Sequence, residues 1–157
     1  MTATAAGVLA LAGGCGWPAV PTTVKAVTAK PAASATCSPS ALTPAVRDGQ
    51  GTAGTQRFTV VLTNRGSAAC TMIGYPVLVL RDADGSVLPP AYPTGISKTV
   101  RLAAGRSATA TMTVTPAACD DVPVASTAAV SPPGSSSATS LPVTIPVCQP
   151  TISPVVG

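Results

Sequence analysis

Three observations predict an all-β chain. Wherever a hydrophobic pattern is visible it alternates with period 2. Pro (17) and Gly (14) make up 31 of the 157 residues, a share that breaks helices. No segment offers a convincing amphipathic helix with apolar residues at the 3.6 period. Aromatics are 3 % and charged residues 9 %, both far below ordinary globular usage. The length suits one domain and a leader rather than two separate cores.

The elements follow in chain order. Phe58, Val60 and Leu62 alternate with Thr59, Val61 and Thr63, the pattern of a strand buried on one face. Tyr75 to Arg81 is a second apolar run, and Asp82-Ala83-Asp84-Gly85 after it reads as a hairpin turn. Thr99 to Leu102 is a short strand. The clearest strand is Ser107 to Thr115, where Ala108, Ala110, Met112 and Val114 alternate with hydroxyl residues. Val124 to Val130, Leu141 to Ile145 and Thr151 to Val155 complete the set. About seven to eight short strands separated by turn signals predict an immunoglobulin-like antiparallel β-sandwich.

Ahead of these strands the chain is different in kind. Ala5 to Gly14 (AAGVLALAGG) is uncharged and too short to span a membrane, which takes ~20 apolar residues. It fits a secretory hydrophobic region, so residues 1–14 are expected to be a signal peptide. The stretch runs through Leu11, Ala12, Gly13 and Gly14 into Cys15 and resembles the lipobox of bacterial lipoproteins. That resemblance implies a diacylglyceryl group on Cys15, two acyl chains being what stable anchoring needs. Two features depart from the pattern. Ala12 stands where Leu is usual, and no Lys or Arg precedes Lys25; the missing basic region points to a translation start upstream of Met1. From Cys15 to residue 36 the chain is a low-complexity mixture of Ala, Val, Thr, Pro, Lys and Ser, read as a disordered tether with a reach of ~25 Å. The sandwich is then expected over residues 37–157.

Five cysteines are an odd number for a secreted chain. With Cys15 lipidated, Cys37, Cys70, Cys119 and Cys148 form an even set. None lies in a C-x-x-C pair, and without histidine a zinc site would need all four thiolates, so disulfides are expected. Three connectivities are open to four cysteines, and the two sequential pairs, each closing a loop of about 30 residues, are the favoured expectation.

The run Thr63-Asn64-Arg65-Gly66-Ser67-Ala68-Ala69-Cys70-Thr71-Met72-Ile73-Gly74-Tyr75-Pro76 resembles the signature T-N-x-G-x-x-x-C-x-x-x-G-Y-P of a domain of unknown function. That domain is abundant in secreted proteins and lipoproteins of high-GC Gram-positive bacteria. Cys37, the Gly51/Gly54 stretch, Asp84-Gly85, the turn Val100 to Gly105 and the Pro132-Pro133-Gly134 break also match. The resemblance implies an immunoglobulin-like sandwich on the cell envelope in which Asn64, Gly66, Gly74, Tyr75 and Pro76 are structural. It implies no activity.

Composition narrows the chemistry further. The chain has no His, and its five acids are all Asp, which removes Ser/His/Asp and Cys/His sites and the Glu-based acid/base pairs. Ser97-Lys98 are adjacent on an expected strand and would point to opposite faces. Asp82-Ala83-Asp84-Gly85 lacks the late bidentate Glu of a calcium loop. Asp120-Asp121 read as solvated loop charge. Met72 and Met112, with no His or paired Met near them in sequence, read as core rather than copper ligands. Seven bases are scattered over residues 37–157 among the five acids, without the clustering that nucleic acid requires. Trp17 falls in the tether, and Phe58, Tyr75 and Tyr92 read as partly structural, which leaves little for sugar recognition. The expectation is a non-enzymatic, lipid-anchored envelope protein without a metal or cofactor. Its sandwich would serve as a binding or structural module, with an envelope protein or wall component as its partner. The alternative is a carrier of a small apolar ligand or lipid in a cleft between the sheets.

Overall fold

The computed structural model describes residues 34–52 and 54–157. The expected signal peptide, Cys15 and the tether up to residue 33 lie outside the described residues.

Eleven strands are present among the described residues: β1 Leu42–Arg47, β2 Gly51–Thr52, β3 Thr55–Asn64, β4 Cys70–Met72, β5 Val77–Arg81, β6 Tyr92–Pro93, β7 Val100–Leu102, β8 Ser107–Val114, β9 Val124–Ser131, β10 Thr139–Pro146 and β11 Thr151–Ile152. The only helical pieces among them are two 3-10 turns, Pro39–Ala41 and Pro116–Ala118. One sheet runs β1-β3-β8-β11-β6 with β2 added on β3; the second runs β10-β9-β5; β4 and β7 form a separate pair. Strands β1, β3 and β8 thus stand where A, B and E stand in an immunoglobulin domain, and β5, β9 and β10 where C, F and G stand. The place beside E, which strand D fills in that fold, is taken here by the C-terminal β11.

The alternation read from sequence decides which side chains meet between the sheets. Phe58, Val60 and Leu62 of β3 and Ala108, Ala110, Met112 and Val114 of β8 face inward. They share one core with Leu78 and Leu80 of β5, Ala128 and Val130 of β9 and Ile145 of β10. Each fully buried Leu, Ile, Val or Met contributes about 1.5–3 kcal/mol. Phe58 is the one aromatic in this core; small residues such as Ala108, Ala110, Ala125 and Ala128 let the sheets approach closely.

The structure adds the short strands β2, β4 and β6 to the sequence reading, and four of the other differences have a local reason. Strand β1 carries Pro44, which interrupts a ladder and is tolerated because β1 is an edge strand. The expected strand from Tyr75 begins at Val77, after Gly74 in the left-handed region at φ 115° and Pro76. At the C-terminus, β11 stops at Ile152 because the Ser153 hydroxyl accepts the Thr111 N–H at 2.8 Å in place of a carbonyl. The chain rejoins β8 where Val156 pairs with Thr109. Finally, the tether expected to run through Thr36 is already paired before Cys37. Thr71 N–H donates to Ala35 O at 2.8 Å and Cys37 N–H to Thr71 O at 2.9 Å, so this segment covers the edge that the three-residue β4 would otherwise expose.

Candidate functional site

The signature segment begins where β3 ends. Asn64 is 1 % exposed, and a buried primary amide needs partners for its two donors and its acceptor. Its Nδ2 donates to Ala68 O at 2.9 Å and to Leu102 O at 3.2 Å, and its Oδ1 accepts the Gly66 N–H at 2.9 Å. Its backbone is spent as well: Asn64 N–H donates to Arg106 O at 2.9 Å and Gly105 N–H donates to Asn64 O at 2.8 Å. One residue therefore ties the end of β3, the loop to β4, strand β7 and the turn before β8. Gly66 sits close against this amide: a Cβ there would lie 3.1 Å from Asn64 Oδ1 and 3.4 Å from Ala41 Cβ, so the amide would have to give by a few tenths of an ångström.

The rest of the segment has the same character. Cys70 is bonded to Cys37 with Cα atoms 4.8 Å apart, fixing the entering chain on β4. Gly74 O accepts the Val155 N–H at 3.0 Å, which holds the C-terminal segment. Tyr75 OH donates to Gly95 O at 2.6 Å, joining the loops before β5 and after β6, and Pro76 is buried where β5 starts. Tyr75→Phe is expected to cost about 1 kcal/mol in urea unfolding; an unchanged midpoint would show that the hydroxyl has no partner in solution.

The Asn64 amide and the Tyr75 hydroxyl of this signature are spent on backbone groups. A profile of the family described as Domain of unknown function (DUF4232) matches residues 37–156. The chain belongs to this family. No curated protein and no solved structure matches it. The match spans the sandwich from Cys37 to Val156 and includes the segment just described.

The second disulfide joins Cys119 to Cys148, Cα atoms 6.2 Å apart, so the bonds link the sequential pairs. It pins the 3-10 turn after β8 to the end of β10, beside the Thr115 N–H to Cys148 O bond of 2.9 Å. Two disulfides in one small domain belong to an oxidising compartment outside the cytoplasm. Among the described residues no helix is long and apolar enough to cross a membrane.

The remaining residues weighed for chemistry are scattered. Asp82 Oδ1 accepts the Asp84 and Ser86 N–H groups at 3.0 and 2.8 Å, closing its own turn. Met72 and Met112 are core residues. Among the described residues no three His, Cys, Asp or Glu side chains are placed to hold a metal ion. Two surface depressions of about 310 Å³ each are present. One is lined by Gly51, Thr52, Gly54, Thr55, Gln56 and Pro116, the other by Val46, Asp48, Pro142, Val143 and Thr144. The second lies where the edges β1 and β10 face each other.

The outer face of the first sheet is different. Residues paired across strands share a face, and those opposite the inward set point out. One cross-strand row is Arg57, Thr113, Thr151 and Tyr92; the row beside it is Arg47, Thr59 and Thr111. No carboxylate stands in either row. Sequence reasoning missed Tyr92 as a surface feature. Phe58 is 4 % exposed and Tyr75 is hydrogen-bonded, but Tyr92 is 65 % exposed on the edge strand β6. The one local signal was Pro93 beside it, which marks an edge strand.

Proposed function

We propose that the protein is a non-enzymatic binding or structural module of the cell envelope, held outside the membrane by a lipid on Cys15. The observation that carries this reading is the pair of disulfides closing a sandwich in which the buried Asn64 of the signature is spent on internal hydrogen bonds. A catalytic reading has little to draw on, since the chain has no His and no Glu and the signature offers no nucleophile beside a base. What is left for recognition is surface. The broad, carboxylate-free outer face of the first sheet supports a wall component as the partner.

The second reading, a carrier of a small apolar ligand, is favoured by the depression between the edges β1 and β10. Its volume of about 310 Å³ stands at the lower end for ligand sites. Its lining includes Asp48, which suits an amphipathic ligand better than a hydrocarbon. Between the sheets, Val60, Leu62, Ala108, Met112, Val130 and Ile145 are completely buried against one another, which supports surface binding instead.

The anchor is tested by fractionating cells that express the protein from its own locus. The wild type is expected in the membrane pellet with labelled palmitate incorporated, and Cys15→Ala is expected to take up no label, because the thiol that carries the acyl chains is gone. Equal labelling of the two would rule out Cys15 as the anchor.

A further inference from the structure

We propose that the outer face of the first sheet binds an acidic polysaccharide laid along the row Arg57, Thr113, Thr151 and Tyr92. This deepens the binding-module reading and rests on it. The row crosses β3, β8, β11 and β6, three steps of ~4.8 Å or ~14 Å in all, enough for a short oligosaccharide to lie across the strands.

Each residue in the row offers something a sugar acid uses. Tyr92, 65 % exposed at one end, presents a flat apolar ring for the C–H face of a pyranose and a hydroxyl at its rim. Thr113 and Thr151 supply the middle. The Thr151 hydroxyl is turned onto Thr113 O at 3.5 Å, which leaves its oxygen lone pairs to accept from sugar hydroxyls. Arg57 ends the row with a guanidinium that can bind a carboxylate or phosphodiester through two parallel hydrogen bonds. Arg47, paired with Thr59, is the diagonal neighbour of Arg57 on the same face, within reach of long side chains. Arg81 and Arg101 are held by Gly85 O and Ser34 Oγ; among the described residues Arg47 and Arg57 have no such partner.

Charge commits the occupant. The two rows carry two guanidinium groups and no carboxylate, so the polymer must bring the acid. The small threonine surface between Arg57 and Tyr92 offers no deep apolar pocket for a protein side chain to anchor in.

The test is affinity electrophoresis of the oxidised full chain in gels containing alginate, a uronic-acid polymer, with neutral dextran and poly-aspartate as comparisons. Alginate is expected to retard the wild type, and Tyr92→Ala and Arg57→Gln are each expected to weaken that binding about tenfold. Arg106→Gln removes the same charge beyond the opposite end of β8 and is expected to leave retardation unchanged. All three positions are exposed, and unchanged melting temperatures verify that the variants fold. Equal retardation by poly-aspartate, or equal loss in Arg106→Gln, would reduce the effect to net charge and overturn the proposal. Equal binding of dextran would remove the acid from it, and full binding by Tyr92→Ala would remove the site. If no saccharide retards a chain that still captures envelope material, the polysaccharide inference fails and the binding-module reading stands. If envelope capture fails too, both fall.

Discussion

Asn64→Ala lowers the unfolding free energy by about 3 kcal/mol or more, read from the urea midpoint at unchanged slope. The substitution deletes the amide that donates to Ala68 O and Leu102 O and accepts from the Gly66 N–H. Net hydrogen-bond worth of about 1 kcal/mol each already gives most of that loss. The rest comes from leaving Leu102 O buried without its side-chain donor, and from the cavity where the amide sat. Asn64→Asp keeps the acceptor but places a carboxylate against two carbonyl oxygens, so it is expected to be worse than alanine. A loss below about 1 kcal/mol in Asn64→Ala would mean that water replaces the amide, and the signature would lose its role as a lock.

Removing the disulfides has the other large effect. Cys119 and Cys148 are 29 residues apart in sequence and Cys37 and Cys70 are 33 apart. In the chain-entropy account, closing loops of this size constrains the unfolded chain by roughly 3–4 kcal/mol each. Paired Cys→Ser replacement at either bond should lower the melting temperature steeply. Removing both should take away about 7 kcal/mol, comparable to the whole stability of a domain this size, and leave the protein unfolded at 37 °C. The core explains the dependence: with Phe58 as its only aromatic, it lacks the large rings that otherwise dominate burial. A reduced protein that melts at the same temperature as the oxidised one would contradict this.

These effects bear on what could be read from sequence. Strand β8 was legible because its alternation is unbroken over eight residues, and β3 because Phe58, Val60 and Leu62 keep period 2 although Val61 between them is also buried. Strand β1 was not, because Pro44 interrupts its pattern. The two-residue strands β2 and β6 are too short to hold a period at all, and β11 ends three residues before the sequence pattern does. The position of β11 beside β8, where an immunoglobulin domain has strand D, depends on long-range pairing that no local pattern encodes. The same holds for the candidate face. The hydroxyl coat of β8 could be seen in the sequence. Its alignment with Arg57 and Tyr92 is a product of register across four strands. Asn64 could be matched to a signature by its spacing, but the carbonyls it serves, at Ala68 and Leu102, come from two separate segments brought together only by the β4–β7 pair.

The central claim is that the signature acts through stability alone and that recognition lies elsewhere on the sandwich. It is tested most directly by capture of envelope material on immobilised full-length Asn64→Ala, with both disulfides intact and at a temperature where the variant is folded. The account predicts capture per folded molecule equal to the wild type. A folded Asn64→Ala that captures nothing while the wild type does would place the signature in the binding site and contradict it.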